Sequence, residues 1–244
     1  MKKNIEQEKA IAQLEGPVIL ISCPGSGKTT TLLRRINHML EVGIPPKKIL
    51  MITFTKAAAQ EMSVKFKKKF GEPNGITFST IHALCLKILM TYGGLSAENI
   101  IKTSDQWKFL LETARKCQSV CDPAKAAGNF QMLYSAAMNN RMSPSEVNPK
   151  DIKGISRKDF LFMSEEYRRM KERTGYIDFD DMLVKAYELM TGNLQVLRQL
   201  RERWDYIQVD EYQDVNYLQR DLVYLLAGEK KNLCVAGDDD QSIY

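Results

Sequence analysis

The chain has 244 residues, 44% of them hydrophobic and 27% charged, with a formal net charge of +5, enough for one large or two small domains with a buried core. No apolar stretch approaches a membrane span, and Glu6 and Glu8 stand where a secretory leader would be apolar, so a cytoplasmic protein with no membrane partner is expected. Five cysteines without a CxxC pair, beside two histidines, argue against zinc, and the mild positive charge permits a polyanionic partner without demanding one.

Asn4 with Gln7 three residues on resembles a capping box that opens a short helix. The apolar run PVILI reads as a strand, SCPGSGKT (Ser22 to Thr29) follows it, and a helix is predicted from Lys28 to Glu41. Glycines at a strand-to-helix turn let backbone N–H groups point at phosphate oxygens. In that setting Lys28 reaches the β and γ phosphates of a nucleoside triphosphate and Thr29 offers a hydroxyl to Mg²⁺. Ser22 stands where the strict phosphate-loop pattern has glycine, so the match is to a relaxed form.

KILMITF is the second predicted strand, Lys56 to Phe70 a helix, ITFST the third strand, and a further helix starts at Ile81. The basic cluster KFKKKF (Lys65 to Phe70) admits two readings, a solvated helix end favoured by the dipole or a contact to phosphates. The strands read as buried on both faces, in a parallel sheet with covering helices.

Between residues 103 and 190 no strand is predicted, and DQWKFLLETARKC, NFQMLYSAAMNN and RKDFLFMSEEYRRMKER carry apolar residues at helical spacing. Phe160, Met163, Tyr167 and Met170 form a core-facing stripe. CDPAKAAGN and SPSEVNPKDIKG read as turns. The sheet resumes with YIQVD, a helix from Asn216 to Ala227, and NLCVAGDDD. Asp210, ending a strand, can hold Mg²⁺ through its hydration shell, and Glu211 can orient or deprotonate a water; taken alone, the acidic pair is equally a surface feature. The expected organisation is α/β: a parallel sheet from residues 1–102 and 191–244, interrupted by a helical subdomain at 103–190. The chain stops at QSIY directly after its last predicted strand, which suggests the N-terminal part of a larger enzyme.

In order along the chain, NIEQ (Asn4 to Gln7), SCPGSGKT, ITFTKAAAQEM (Ile52 to Met62), FSTIHALCLKIL (Phe78 to Leu89), IDFDDML (Ile177 to Leu183), VDEYQD (Val209 to Asp214) and GDDDQSIY (Gly237 to Tyr244) resemble the motifs of the UvrD/Rep/PcrA family of DNA helicases. The resemblance covers essentially the whole chain. It implies a RecA-like P-loop NTPase sheet with an inserted helical subdomain, using ATP and Mg²⁺ to move 3′ to 5′ on single-stranded DNA or single/double-strand junctions. A second RecA-like domain would supply arginines. By the same resemblance Gln7 contacts adenine, and Pro24, Gly25, Ser26, Gly27, Lys28, Thr29 and Thr30 cradle the nucleotide. Thr29 and Asp210 hold the metal, Glu211 is the catalytic base, and Gln241 senses the γ-phosphate.

For the strand, the resemblance assigns Phe54, Thr55, Thr80, His82 and Tyr244, with aromatic stacking giving grip without sequence choice. Read without it, Phe54 is equally a core residue, His82 a structural histidine, and Asp178, Asp180 and Asp181 helix-flanking acids. Lys56 and Ala57 stand where Asn-Lys is usual, Ile81 where phenylalanine is, and Thr30 where arginine is frequent. Two alternatives share these motifs, a nucleotide-gated binding module that never unwinds and the motor of a helicase-nuclease subunit. A small-molecule P-loop kinase would leave TFT, QSIY and the insertion without a purpose.

Overall fold

A short helix and three strand-helix units open the chain: α1 (Ile5–Ala12), β1 (Val18–Ile21), α2 (Lys28–Glu41), β2 (Ile49–Thr53), α3 (Lys56–Phe70), β3 (Thr77–Thr80) and α4 (Ile81–Tyr92). A helical run follows, α5 (Thr103–Ala114), α6 (Pro123–Asn139), α7 (Arg157–Thr174), α8 (Phe179–Gly192) and α9 (Leu194–Arg203), before β4 (Tyr206–Val209), α10 (Tyr217–Ala227) and β5 (Leu233–Gly237). This computed structural model describes residues 5–238 apart from 22, 24, 25, 73, 149, 151 and 153. The five strands form one parallel sheet in the order β1-β5-β4-β2-β3. The chain divides into two compact units, Met1–Leu84 with Leu189–Val215 and Gln219–Tyr244, and Cys85–Glu188 with Asn216–Leu218.

In the first unit β2 is buried throughout, as a central strand of a covered parallel sheet must be. Leu32, Ile36 and Met39 of α2 fall at i, i+4 and i+7, and pack with Ile49 and Met51 of β2, Met62 and Phe66 of α3, and Cys234 and Ala236 of β5. β1 departs from the expectation of two-sided burial. It lies at the sheet edge, with Val18 buried but Ile19 and Ile21, which point to the other face, 69% and 65% exposed. Among the described residues that stretch of the second face has no cover. Helix α1 is fastened to α2 by Arg34 to Glu8 at 2.7 Å, and by buried Arg35, whose guanidinium donates to the carbonyls of Ala10, Gln13 and Leu14.

In the second unit the predicted stripe is core: Phe160 and Met163 are fully buried, with Tyr167 and Met170 nearly so. They pack with Leu110 of α5 and Phe130 of α6, and Tyr167 meets the rings of Phe130 and Tyr134 edge-on. CDPAKAAGN, expected as a turn, starts α6 instead. Asp122 accepts from the backbone N–H groups of Ala124 and Lys125, and Pro123 fills the first helical position, where its missing N–H costs nothing.

The acids of IDFDDML have structural partners. Asp178 Oδ1 accepts from the Asp181 backbone N–H at 2.8 Å, and Asp181 Oδ2 accepts from that of Asp178 at 3.0 Å, so the two acids cap the start of α8 reciprocally. Lys171 Nζ lies between them, 3.1 Å from Asp178 Oδ2 and 2.8 Å from Asp181 Oδ1, and its charge faces the Tyr167 ring at 4.5 Å. Asp180 accepts from Ser135 and Asn139.

Candidate nucleotide and strand site

Parallel strands present their carboxyl ends together, and the loops leaving those ends converge. From β1, the turn into α2 passes through Gly27 at φ 94 and ψ 22, a left-handed conformation that favours glycine. Lys28 and Thr29 then stand in the first turn of α2, where free N–H groups and the helix dipole favour an anion. From β4, whose Val209 is in register with Ile52 of β2 and Val235 of β5, the chain delivers Asp210, whose N–H bonds to the Ile52 carbonyl at 2.9 Å. Lys28, Thr29, Asp210 and Glu211, remote in sequence, thereby meet at one end of the sheet.

The Thr29 hydroxyl donates to Asp210 Oδ2 at 3.4 Å. The Glu211 N–H donates to Asp210 Oδ1 at 3.1 Å. Burial pushes the Asp210 carboxyl up from its ordinary value, the Glu211 charge adds to this, and the Glu211 N–H, the Thr29 hydroxyl and Lys28 oppose it. Glu211 itself has φ 52 and ψ 46, the left-handed region that a non-glycine residue rarely occupies.

Two residues not singled out from the sequence complete the arrangement. Gln213 Nε2 donates to Glu211 Oε2 at 2.7 Å, while Gln213 Oε1 accepts from the Asp238 N–H at 3.1 Å. Asp238 Oδ2 lies 3.6 Å from Lys28 Nζ. The contacts run in series from Lys28 through Asp238, Gln213, Glu211 and Asp210 to Thr29, the residue next to Lys28 in sequence. A Cβ on Gly237 would sit 3.1 Å from Gln213 Oε1, so the close approach of this brace suits glycine. The signal for both residues was present, since Gln213 lies within VDEYQD and Asp238 within GDDDQSIY.

Gln7 reaches the glycine-rich loop, its Nε2 donating to the Ser26 carbonyl at 2.9 Å. Ser26 and Thr30 are exposed. Thr29 and Thr30 line an open groove of about 400 Å³ together with Leu33, Lys65, Lys68 and Lys69; the basic cluster of α3 therefore faces the start of α2, with Lys65 also paired to Glu61 at 2.7 Å. Asn4, Ser22, Pro24, Gly25, Gln241 and Tyr244 lie outside the described residues.

The candidate strand residues sit at the ends of β2 and β3, which pair with Thr53 opposite Thr80. Phe54 is 53% exposed, so its ring is not core. Thr55 and Thr80 accept from the backbone N–H groups of Ala58 and Ala83 at 3.1 Å each, capping α3 and α4. His82 is half-buried, and burial lowers its pKa, which favours the neutral imidazole. A small cavity of about 10 Å³ is lined by Thr53, Phe54, His82, Asp210 and Gln219, joining the exposed ring to the acidic cluster.

Mg²⁺ prefers oxygen donors and is usually held by one or two carboxylates or hydroxyls plus substrate phosphates. Thr29 and Asp210 supply that donor set. Among the described residues no group of three or more His, Cys, Asp or Glu side chains is placed to hold a metal ion. Among the same residues no helix is long and apolar enough to cross a membrane.

The chain matches the UvrD/REP helicase N-terminal domain over residues 3–244. It is 34% identical over 250 residues to a Bacillus subtilis protein named YjcD, covering 99% of this chain and 32% of that protein. It is also 34% identical over 247 residues to the ATP-dependent DNA helicase PcrA of Staphylococcus aureus and to that of Staphylococcus epidermidis, covering 99% of this chain and 34% of each. The chain thus spans about a third of the length of the curated relatives it matches. A parallel sheet that gathers a lysine of the glycine-rich loop, a hydroxyl and an acidic pair at its carboxyl end agrees with that match, and the chain belongs to the family of the UvrD/REP helicase N-terminal domain.

Proposed function

We propose that this chain is the ATP-binding and single-stranded-DNA-binding motor domain of an ATP-dependent DNA helicase that moves 3′ to 5′ in the cytoplasm, with residues 1–102 and 191–244 as the motor and 103–190 as its helical insertion. The observation that carries the reading is the meeting of Lys28, Thr29, Asp210 and Glu211 at one end of the sheet, with Thr29 and Asp210 in hydrogen-bond contact. Relatives named as ATP-dependent DNA helicases support it.

In this reading the N–H groups opening α2, with Lys28, bind the phosphates, and Pro24, Gly25, Ser26, Gly27 and Thr30 shape their cradle. Gln7 sits against the same loop, placed to read adenine. Thr29 and Asp210 would hold Mg²⁺, which when bound neutralises phosphate charge and orients the oxygens. Glu211 takes the proton of the attacking water, held in place by Gln213, and Gln241 senses the γ-phosphate. A second RecA-like domain completes the site with arginines.

Phe54, His82 and Tyr244 offer faces to single-stranded or junction DNA, and Thr55 and Thr80 hold the helices that flank it. That Phe54, His82 and Asp210 line one small cavity supports a strand site adjacent to the nucleotide site.

ATP hydrolysis by the full-length protein, assayed with and without single-stranded DNA, tests this function. DNA stimulation is expected, and hydrolysis indifferent to DNA would refute it. Stacking of a base on an aromatic ring is worth about 1–3 kcal/mol, so Phe54→Ala is expected to weaken strand binding roughly tenfold, read by fluorescence anisotropy. Gln213→Ala is expected to slow hydrolysis by about tenfold or more at saturating nucleotide, because Glu211 loses its partner.

A further inference from the structure

Lys28 has a second claimant besides the phosphates assigned to it. β5 pairs with β1 so that Gly237 lies opposite Ile21, and the residue that follows, Asp238, emerges beside the phosphate-loop strand. Its side chain is fully shielded from solvent, and that of Lys28 is only 11% exposed. The 3.6 Å between Asp238 Oδ2 and Lys28 Nζ is thus spanned in a largely water-excluded place, where opposite charges attract strongly and neither is easily left alone. Asp238 is also held from behind, since its N–H is bonded to Gln213, whose other end is bonded to Glu211. The carboxylate therefore does not drift as a surface acid would. Asp210 and Glu211 on the neighbouring strand make the surroundings acidic as well.

We propose that Asp238 is a positioning residue for Lys28: in the nucleotide-free protein it holds the ammonium, and a nucleotide must draw Lys28 away from it to bind. This rests on the reading of Lys28 as the phosphate-binding lysine. Two consequences follow from charge. Asp238 competes with the polyphosphate for the same cation, so it lowers nucleotide affinity. It also shields the amine from solvent and reagents until a nucleotide takes over.

Asp238→Asn keeps the shape and the backbone N–H but removes the competing charge. In the full-length protein it is expected to bind a non-hydrolysable ATP analogue about fivefold or more tightly, read by calorimetry. In the nucleotide-free state Lys28 should acylate several-fold faster with an amine-reactive ester, followed by peptide mass spectrometry. Asp238→Ser carries the same two expectations with a smaller side chain. A merely structural acid would give weaker binding when removed. Weaker or unchanged analogue affinity in a variant with unaltered melting temperature, or unchanged Lys28 acylation, would overturn the proposal. Lys28→Ala is the separate arm: if it leaves analogue affinity unchanged, the phosphate-site reading fails, independently of Asp238.

Discussion

Lys28→Ala is expected to abolish ATP binding at concentrations that saturate the unaltered protein. A charge-assisted hydrogen bond contributes about 1.5–3 kcal/mol, so losing the ammonium from the phosphates alone weakens binding by roughly ten- to a hundredfold. The surroundings enlarge the effect. Asp238 is buried 3.6 Å from that ammonium, and Asp210 feels the Lys28 charge as well; without the cation an arriving triphosphate meets carboxylates with less to offset them. Thr29 still donates to Asp210 in the variant, but buried Asp238 loses its ion-pair partner, so the chain is expected to fold with a lowered melting temperature. Calorimetric titration checks the affinity, and circular dichroism checks the fold.

Lys171→Met is expected to destabilise the helical unit by about 3–5 kcal/mol, since removing one member of a buried ion pair leaves its partners charged and unsolvated. Lys171 and Asp178 have side chains 9% and 3% exposed, and the same ammonium serves Asp181 at 2.8 Å. Methionine matches the length of the lysine stem and packs against Tyr134 and Tyr167, so the loss measured is chiefly electrostatic. Adding Asp178→Asn and Asp181→Asn to Lys171→Met is expected to recover much of it, because the remaining groups are then neutral and still able to cap α8. Urea denaturation of the single and triple variants gives both numbers. A single-variant loss below about 1 kcal/mol would show that these charges reach water.

The periodic parts of the fold were legible in the sequence, and the exceptions have identifiable causes. α2 and α3 span the predicted ranges, Lys28 to Glu41 and Lys56 to Phe70, and the stripe from Phe160 to Met170 is core. CDPAKAAGN misled because Pro and Gly usually punctuate, whereas Asp122 and Pro123 here form a helix start. β1 reads as doubly buried from its composition, but composition carries no information about which strand takes the sheet edge. At the site, Lys28, Thr29, Asp210 and Glu211 were named from their motifs. Gln213 and Asp238 were not, although both lie within quoted motifs: Gln213 braces Glu211 two residues away while also holding the Asp238 N–H, and Asp238 faces Lys28, a long-range pairing that local spacing does not carry.

The most direct measurement is a crystal structure of the protein with Mg²⁺ and a non-hydrolysable ATP analogue. Lys28 Nζ is expected at about 2.7–2.9 Å from a β or γ phosphate oxygen, with Asp210 and Thr29 on the metal side of the same phosphates. An analogue bound at a place remote from Lys28 and Asp210 would contradict it.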